Sequence, residues 1–460
     1  MRASRAALAV ATAAAMVAGL TVVAVRRDAA PPAAAPSPTA EPSASPSPTY
    51  PAVPSPATPE PGAAPTVRGV LEALRAPLRD PALGARVSAV VLDAETGEPL
   101  YESVPEVPVV PASTAKIATA MAVLKVLGPD RRLETRLLAR GTVADGVLTG
   151  DLVLVGGGDP TLATPAARPA YPPPARLDTL AASAKPIRRV TGGIVVDASV
   201  FTGPRTGPGW KPGYVTEGSV APVAGLMVDG GKLDPAKPAS RAPDPDLAAG
   251  RALRDLLRKQ GTAVGNAVVR GRAAAADTEL GVVRSPPMSA LVERLLAASD
   301  NNLAEALAHL VAAEGGLPAT FDGGAAALES ELGQPASGLV DGSGLSPRNR
   351  VTTGGLALLL RTAAADPAYR PVLTGLPVAG FDGTLVKRYA DPASAYGAGR
   401  VRAKTGTLDN VSTLAGVIET AGGRLLLFAF SADRLPTRNV GKAAKALDAA
   451  AAALARCGCR

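Results

Sequence analysis

Ser113 and Lys116 stand three residues apart in Pro111-Ala112-Ser113-Thr114-Ala115-Lys116, at the head of an apolar run from Ile117 to Leu127. On a helix, residues i and i+3 share a face, so a hydroxyl and an amine at this spacing come within hydrogen-bond reach. A serine becomes a nucleophile only with a base beside it. A lysine can be that base only where its ammonium is costly, through loss of water or a second cation nearby. Taken alone, the pair reads better as a serine cap followed by a solvated lysine. Two later stretches change the balance: Ser299-Asp300-Asn301 and Lys404-Thr405-Gly406, each occurring once.

Together the three stretches supply an acyl-transfer site. Lys404 brings the second cation, which lowers the proton affinity of Lys116 in a shared dry cleft. Lys116, once neutral, can take the Ser113 proton, and Ser299 can relay a proton toward a leaving amine. Asn301 can hold the Lys116 amine and a substrate amide. Thr405 and Thr407 can bind a substrate carboxylate, and Gly406 leaves room for a substrate backbone along a strand. The backbone N–H groups of Ser113 and Thr407 are the candidate oxyanion hole, where one donor contributes about 3–4 kcal/mol.

The rest of the composition narrows the choice of base. The chain has 460 residues, 47% of them hydrophobic but only 3% aromatic, and a net charge of +8. Its arginines are scattered without interleaved aromatics, which argues against nucleic acid as a partner. The single histidine, His309, lies in the apolar run Leu303 to Val311 and reads as a packed or surface residue. A histidine-based zinc site is therefore nearly excluded, and no metal or cofactor is expected. No G-x-S-x-G elbow precedes a candidate serine, so an acyl-transfer enzyme here must use lysine as its base. Cys457 and Cys459 carry no catalytic role; a local bridge between them would be strained.

The elements that position these residues follow from periodicity and turn signals. Residues 1–27 read as a targeting segment, with Arg2 and Arg5 before an apolar run over 7–25. That run is close to the roughly 20 residues needed to cross a bilayer, which favours an uncleaved signal anchor over a removed signal peptide. Residues 28–66, rich in Pro, Ala, Ser and Thr, read as a disordered linker that spans on the order of 100 Å when extended. The body begins near Thr66, with a helix over 67–78 and a hairpin of 86–92 and 99–101. Over 129–284 short β-type runs (143–148, 152–155, 193–196, 225–228, 267–269) surround a helix at 247–260, an inserted α+β domain. Helices at 288–298, 303–313 and 353–364, the stretch 402–407 leading into strands at 412–419 and 424–431, and a closing helix at 440–454 complete the chain. Val155-Gly156-Gly157-Gly158-Asp159-Pro160 lacks a G-K-[ST] ending and reads as a tight turn rather than a phosphate loop.

At this level the sequence resembles the D-Ala-D-Ala carboxypeptidase/endopeptidase family, the low-molecular-weight class C penicillin-binding proteins. The resemblance rests on the three motifs and on Gly150 to Leu162, Pro208-Gly209-Trp210, Asp300 to Glu305, Asp341 to Ser346 and Leu376 to Leu385. It implies an α/β (α+β) penicillin-binding, serine β-lactamase-like fold, with 67–128 and 285–460 as catalytic domain and 129–284 inserted. It further implies an exported, extracytoplasmic serine DD-peptidase that cleaves D-Ala bonds of peptidoglycan stem peptides and is acylated by β-lactam antibiotics. Three departures stand out. The second, nested domain of many relatives is absent or reduced to a loop between Lys232 and Asp246. Arg205 and Thr206 stand where some relatives carry an acidic residue. Pro347 follows the Ser-Gly-Leu-Ser run where relatives often have arginine. Two other functions share some of these features, a secreted serine β-lactamase and a non-catalytic wall-binding protein. The first lacks a Glu-x-x-Leu-Asn loop here, and the second would not need an intact catalytic set.

Overall fold

The computed structural model describes residues 62, 64–235 and 240–458. Helix α1 (Val67–Arg75) leads into strands β1 (Ser88–Asp93) and β2 (Pro99–Ser103), then helix α2 (Lys116–Leu127). Strands β3 (Glu134–Ala144) and β4 (Val147–Val155), helix α3 (Leu177–Ala182) and strands β5 (Arg189–Val190) and β6 (Ile194–Asp197) follow. Helix α4 (Pro245–Lys259) precedes strands β7 (Val268–Arg270) and β8 (Thr278–Arg284). Helices α5 (Met288–Ala297), α6 (Asn301–Glu314), α7 (Phe321–Leu332), α8 (Thr353–Ala365) and α9 (Arg370–Thr374) come next. Strands β9 (Val401–Leu408), β10 (Val411–Glu419) and β11 (Leu425–Ala432) and helix α10 (Val440–Arg456) close the chain.

Five strands form an antiparallel sheet in the order β2-β1-β11-β10-β9. Its central strands are apolar throughout because both faces are covered. Along β11, Leu426, Phe428 and Phe430 enter the core shared with α1 and α10, whereas Leu427 and Ala429 enter the core built from α2 and α5–α8. That alternation is the period-two geometry of a strand placed between two helical layers. Helix α2 runs through the second core and is buried on nearly every side, Lys116 to Leu124 without a break. A helix that is apolar all round has no solvent face to offer, which fixes it centrally.

The second sheet, in the order β7-β6-β4-β3-β8 with β5 beside β4, has its own apolar core with α3 and α4. Here the structure corrects the strand boundaries read from sequence. The run 143–148 is not a strand; it straddles the β3–β4 hairpin turn at Asp145 and Gly146, both with positive φ (47° and 74°). The run 225–228 is a loop, and β8, α3 and α7 lack counterparts in the sequence reading. The candidate anchor and linker over 1–61 lie outside the described residues. No helix among the described residues is long and apolar enough to cross a membrane.

Strand β9 carries the Lys404 motif at the sheet edge, and its position depends on Gly416 in β10. A Cβ at Gly416 would lie 2.0 Å from the Arg402 carbonyl oxygen, so a side chain there must push β9 away. Gly416→Ala is expected to lower stability by about 1–3 kcal/mol and to slow reaction at Ser113. Denaturant melts together with acylation kinetics check both effects.

Candidate active site

Ser113 sits in a short 3₁₀ turn, Ala112–Ala115, that runs directly into α2, whose first residue is Lys116. The turn begins with a left-handed residue, Ala112 at φ 48°, a conformation that costs an alanine strain. It persists because both sides are packed. A Cβ on Gly344 (φ 79°) would lie 1.8 Å from the Ala112 carbonyl oxygen. One on Gly406 would lie 2.7 Å from the Pro111 carbonyl oxygen and 3.1 Å from the Ala112 Cβ. The Cβ side of Gly406 is thus closed by the serine turn and by Thr413 Oγ1, 2.1 Å from where that Cβ would lie.

The Lys116 amine is fully buried and makes three contacts: Ser113 Oγ at 3.0 Å, Asn301 Oδ1 at 2.7 Å and the Ser343 carbonyl oxygen at 2.6 Å. Two of these partners only accept. A neutral amine has two N–H donors and one lone pair. With both donors committed to Asn301 and Ser343, the lone pair is left for the Ser113 hydroxyl. Burial lowers the Lys116 pKa to about 8, against the opposing charges of Glu305, Asp341 and Asp300. Lys404 is equally buried, with Nζ donating to the Thr405 carbonyl oxygen at 2.9 Å. Burial first, and then the Lys116 charge, push its pKa well below the ordinary lysine range. Each ammonium in this dry cleft disfavours the other, so Lys116 gives up its proton more readily than an exposed lysine.

The other motif residues take up distinct places. Ser299 is half-buried and left-handed (φ 53°), one residue before Asp300, whose carboxylate caps α6 by accepting from Leu303 N at 3.1 Å. Asn301 opens α6 and turns its Nδ2 to the Ser219 carbonyl oxygen at 2.9 Å. Asn302 clamps the same segment, pairing with both the N–H and the carbonyl of Ala221. Thr405 is buried and bonds the Thr384 hydroxyl at 2.9 Å, whereas Thr407 is exposed on the same side of β9. Strand alternation puts Lys404 and Gly406 on the opposite side, against the serine turn.

Several residues that sequence reasoning left without a role build the site's walls. Trp210 donates Nε1–H to Asp341 Oδ2 at 2.8 Å, and Ser346 Oγ donates to the Pro208 carbonyl oxygen at 2.6 Å. Lys211 pairs with Asp409, just beyond the Lys404 strand. The loop over 205–224 is therefore bonded to the start of α6, to the 341–346 loop and to Asp409 at the end of β9. Arg205, in the position where some relatives are acidic, makes a two-pronged pair with buried Asp246 at 3.0 and 2.9 Å. His309 is buried between Phe201 and Phe321, with Nδ1 bonded to the Glu305 carbonyl oxygen. Cys457 is disulfide-bonded. The missed carboxylate, Glu305, had a signal: it interrupts an apolar helical stretch one turn after Asn301.

Among solved structures, the fold is similar to penicillin binding protein 4 from Haemophilus influenzae, with a TM-score of 0.67 at 23% identity, covering 83% of this chain and 98% of that one. Fold and site together define an α/β penicillin-binding fold with a buried serine–lysine centre. The match to the family model for D-Ala-D-Ala carboxypeptidase 3 (S13) extends over residues 70–240 and 233–454, and the chain belongs to that family. It is 38% identical over 408 residues to a carboxypeptidase of Mycobacterium tuberculosis, covering 86% of each chain. It is 37% identical over 429 residues to a carboxypeptidase of Mycolicibacterium smegmatis, covering 89% of this chain and 90% of the other. The D-alanyl-D-alanine carboxypeptidase of an Actinomadura strain is 30% identical over 438 residues, covering 77% and 79%. The protein is accordingly a hydrolase of the serine-type D-Ala-D-Ala carboxypeptidase class.

The buried amine sets a pH dependence. Lys116 is protonated below a pKa of about 8 and neutral above it. Acylation of Ser113 is expected to rise with pH through about 8, falling about tenfold per unit below that value. Acylation rates from pH 5 to 10 check the slope and its midpoint.

Proposed function

We propose that Ser113 is the nucleophile and neutral Lys116 its base in a DD-peptidase reaction on peptidoglycan stem peptides. The observation that carries this reading is the three-way contact of the Lys116 amine, which keeps the same partners before and after it takes the serine proton. As that proton moves to Lys116, Ser113 Oγ bonds to the D-Ala carbonyl carbon. The backbone N–H groups of Ser113 and Thr407 hold the resulting oxyanion, in the manner of donors fixed before the reaction begins. The proton taken up by Lys116 passes through the Ser299 hydroxyl to the departing nitrogen as the C–N bond breaks, which leaves Lys116 neutral again. Thr405 and Thr407 hold the terminal carboxylate. Water, giving a proton to the neutral Lys116, then bonds to the acyl carbon; the ester C–O bond breaks and Lys116 returns the proton to Ser113 Oγ, which frees the acid product and the enzyme.

The leaving group is free D-Ala, or the amine of a neighbouring stem when the substrate is cross-linked; the chemistry at the carbonyl is the same. A β-lactam presents an acyl carbon to the same serine and remains attached to it. In this reading residues 67–128 and 285–460 form the catalytic domain and 129–284 an inserted one. The enzyme works outside the cytoplasm, with 7–25 as its anchor and 28–66 as its tether.

Purified stem pentapeptide and cross-linked muropeptide dimers test the reaction. Wild type is expected to release D-Ala from pentapeptide, and Lys116→Ala to lose at least about 100-fold in rate. A Lys116→Ala enzyme near the wild-type rate would remove lysine from the mechanism.

A further inference from the structure

Helix α6 reads Asn-Asn-Leu-Ala-Glu-Ala-Leu-Ala-His-Leu-Val-Ala-Ala from Asn301, and Glu305 is the acidic residue within its apolar stretch. The residue is wholly excluded from solvent. A carboxylate is rarely buried unless charged or polar partners hold it. Its partners are two backbone groups of the loop after α7: Oε2 accepts from Gly342 N at 3.0 Å and Oε1 from Ser343 N at 2.8 Å.

The far side of the same two residues is held by α2. The Gly342 carbonyl oxygen accepts from Thr119 Oγ at 2.6 Å, and the Ser343 carbonyl oxygen from Lys116 Nζ at 2.6 Å. One turn of α6 therefore reaches the base twice, through the Asn301 side chain and through Glu305 and the Ser343 peptide. We propose that Glu305 is a positioning residue for acyl transfer: its carboxylate fixes the Ser343 carbonyl that aims the Lys116 amine, and its negative charge faces the ammonium formed when Lys116 takes the Ser113 proton. This rests on the serine–lysine reading given above.

The charged groups around Lys116 come from three elements. Lys404 on β9 disfavours its protonation; Glu305 on α6, Asp300 at the α6 cap and Asp341 on the loop favour it. Asp341 and Asp300 are committed elsewhere. Asp341 accepts from Gly344 N, Ser346 N, Asn349 Nδ2 and Trp210 Nε1, and Asp300 caps its helix. Around Glu305 itself, Asp341 repels its charge and Lys116 attracts it, while His309 touches only its carbonyl. Burial raises the Glu305 pKa to about 8, close to that of Lys116. The carboxylate is therefore ionised in the same upper pH range in which Lys116 is neutral and can take the Ser113 proton.

The test is the pH dependence of penicillin acylation in the full chain, for wild type, Glu305→Gln and Glu305→Asp. Removing the negative charge lowers the proton affinity of Lys116. The rate midpoint of Glu305→Gln is therefore expected about one pH unit below wild type, with the maximal rate at least tenfold lower because the amide cannot accept both N–H groups. Glu305→Asp keeps the charge and is expected to retain the wild-type midpoint at a reduced rate. A purely structural role would slow both variants equally at every pH, and an unmoved midpoint in Glu305→Gln would overturn the proposal. If Glu305→Gln fails to fold, Glu305→Asp still decides: a midpoint shifted down by a unit or more excludes the charge as the determinant. Absence of any Ser113 adduct in wild type would overturn the proposed function itself, an outcome distinct from adducts with a common midpoint.

Discussion

The structure depends on keeping one amine dry. Lys116 begins a helix with almost no solvent-facing side, and its side chain ends among an amide oxygen, a backbone carbonyl and the Ser113 hydroxyl. A charged lysine in such a place is costly, whereas a neutral one has a partner for each N–H and for its lone pair. The sheet edge, the 341–346 loop and the start of α6 are all fixed by what they must bring to that amine. The strained Ala112 backbone belongs to the same constraint, because the serine turn is wedged between Gly344 and Gly406 with no space for a side chain on either. Strain at such a point is tolerated when the surroundings over-determine it.

The segment that carries the second sheet packs onto the site. Its 205–224 loop is bonded to Asn301 and Asn302, to Asp341 and to Ser346, and Lys211 reaches Asp409 beyond β9. The Arg205 and Arg270 side chains both close on Asp246, which anchors this loop to α4. An arginine pair on one buried carboxylate is geometrically demanding, and removing either partner leaves charge uncompensated. The departure at Arg205 thus has a structural explanation in this chain.

Much of this architecture was legible in the sequence. The strands β10 and β11 and the helices α2, α5, α6, α8 and α10 follow from apolar runs whose length and spacing match their elements. The failures share a physical cause. Across 143–148 the apolar residues flank a turn, and the Asp145-Gly146 pair was the stronger signal for a hairpin. Over 225–228 the residues are apolar and buried, yet they pack as a loop whose Gly225 carbonyl bonds Gly158 N outside any ladder. At the site, the motif types and order pointed to Ser113, Lys116, Asn301 and Lys404. They did not indicate Glu305 or the Ser343 carbonyl. A lone glutamate on a helix ordinarily faces water, and a backbone oxygen leaves no trace in side-chain chemistry. Gly406 was legible as a point of close approach, and the packing of the serine turn on its Cβ side was not.

The central claim is that Ser113 is the residue acylated in this cleft. Intact-protein mass after incubation with a penicillin, for wild type and Ser113→Ala, tests it most directly. A long-lived adduct of the whole drug is expected on wild type and none on the variant. An adduct that persists in Ser113→Ala, or a wild type that leaves the drug intact and unbound, would contradict it.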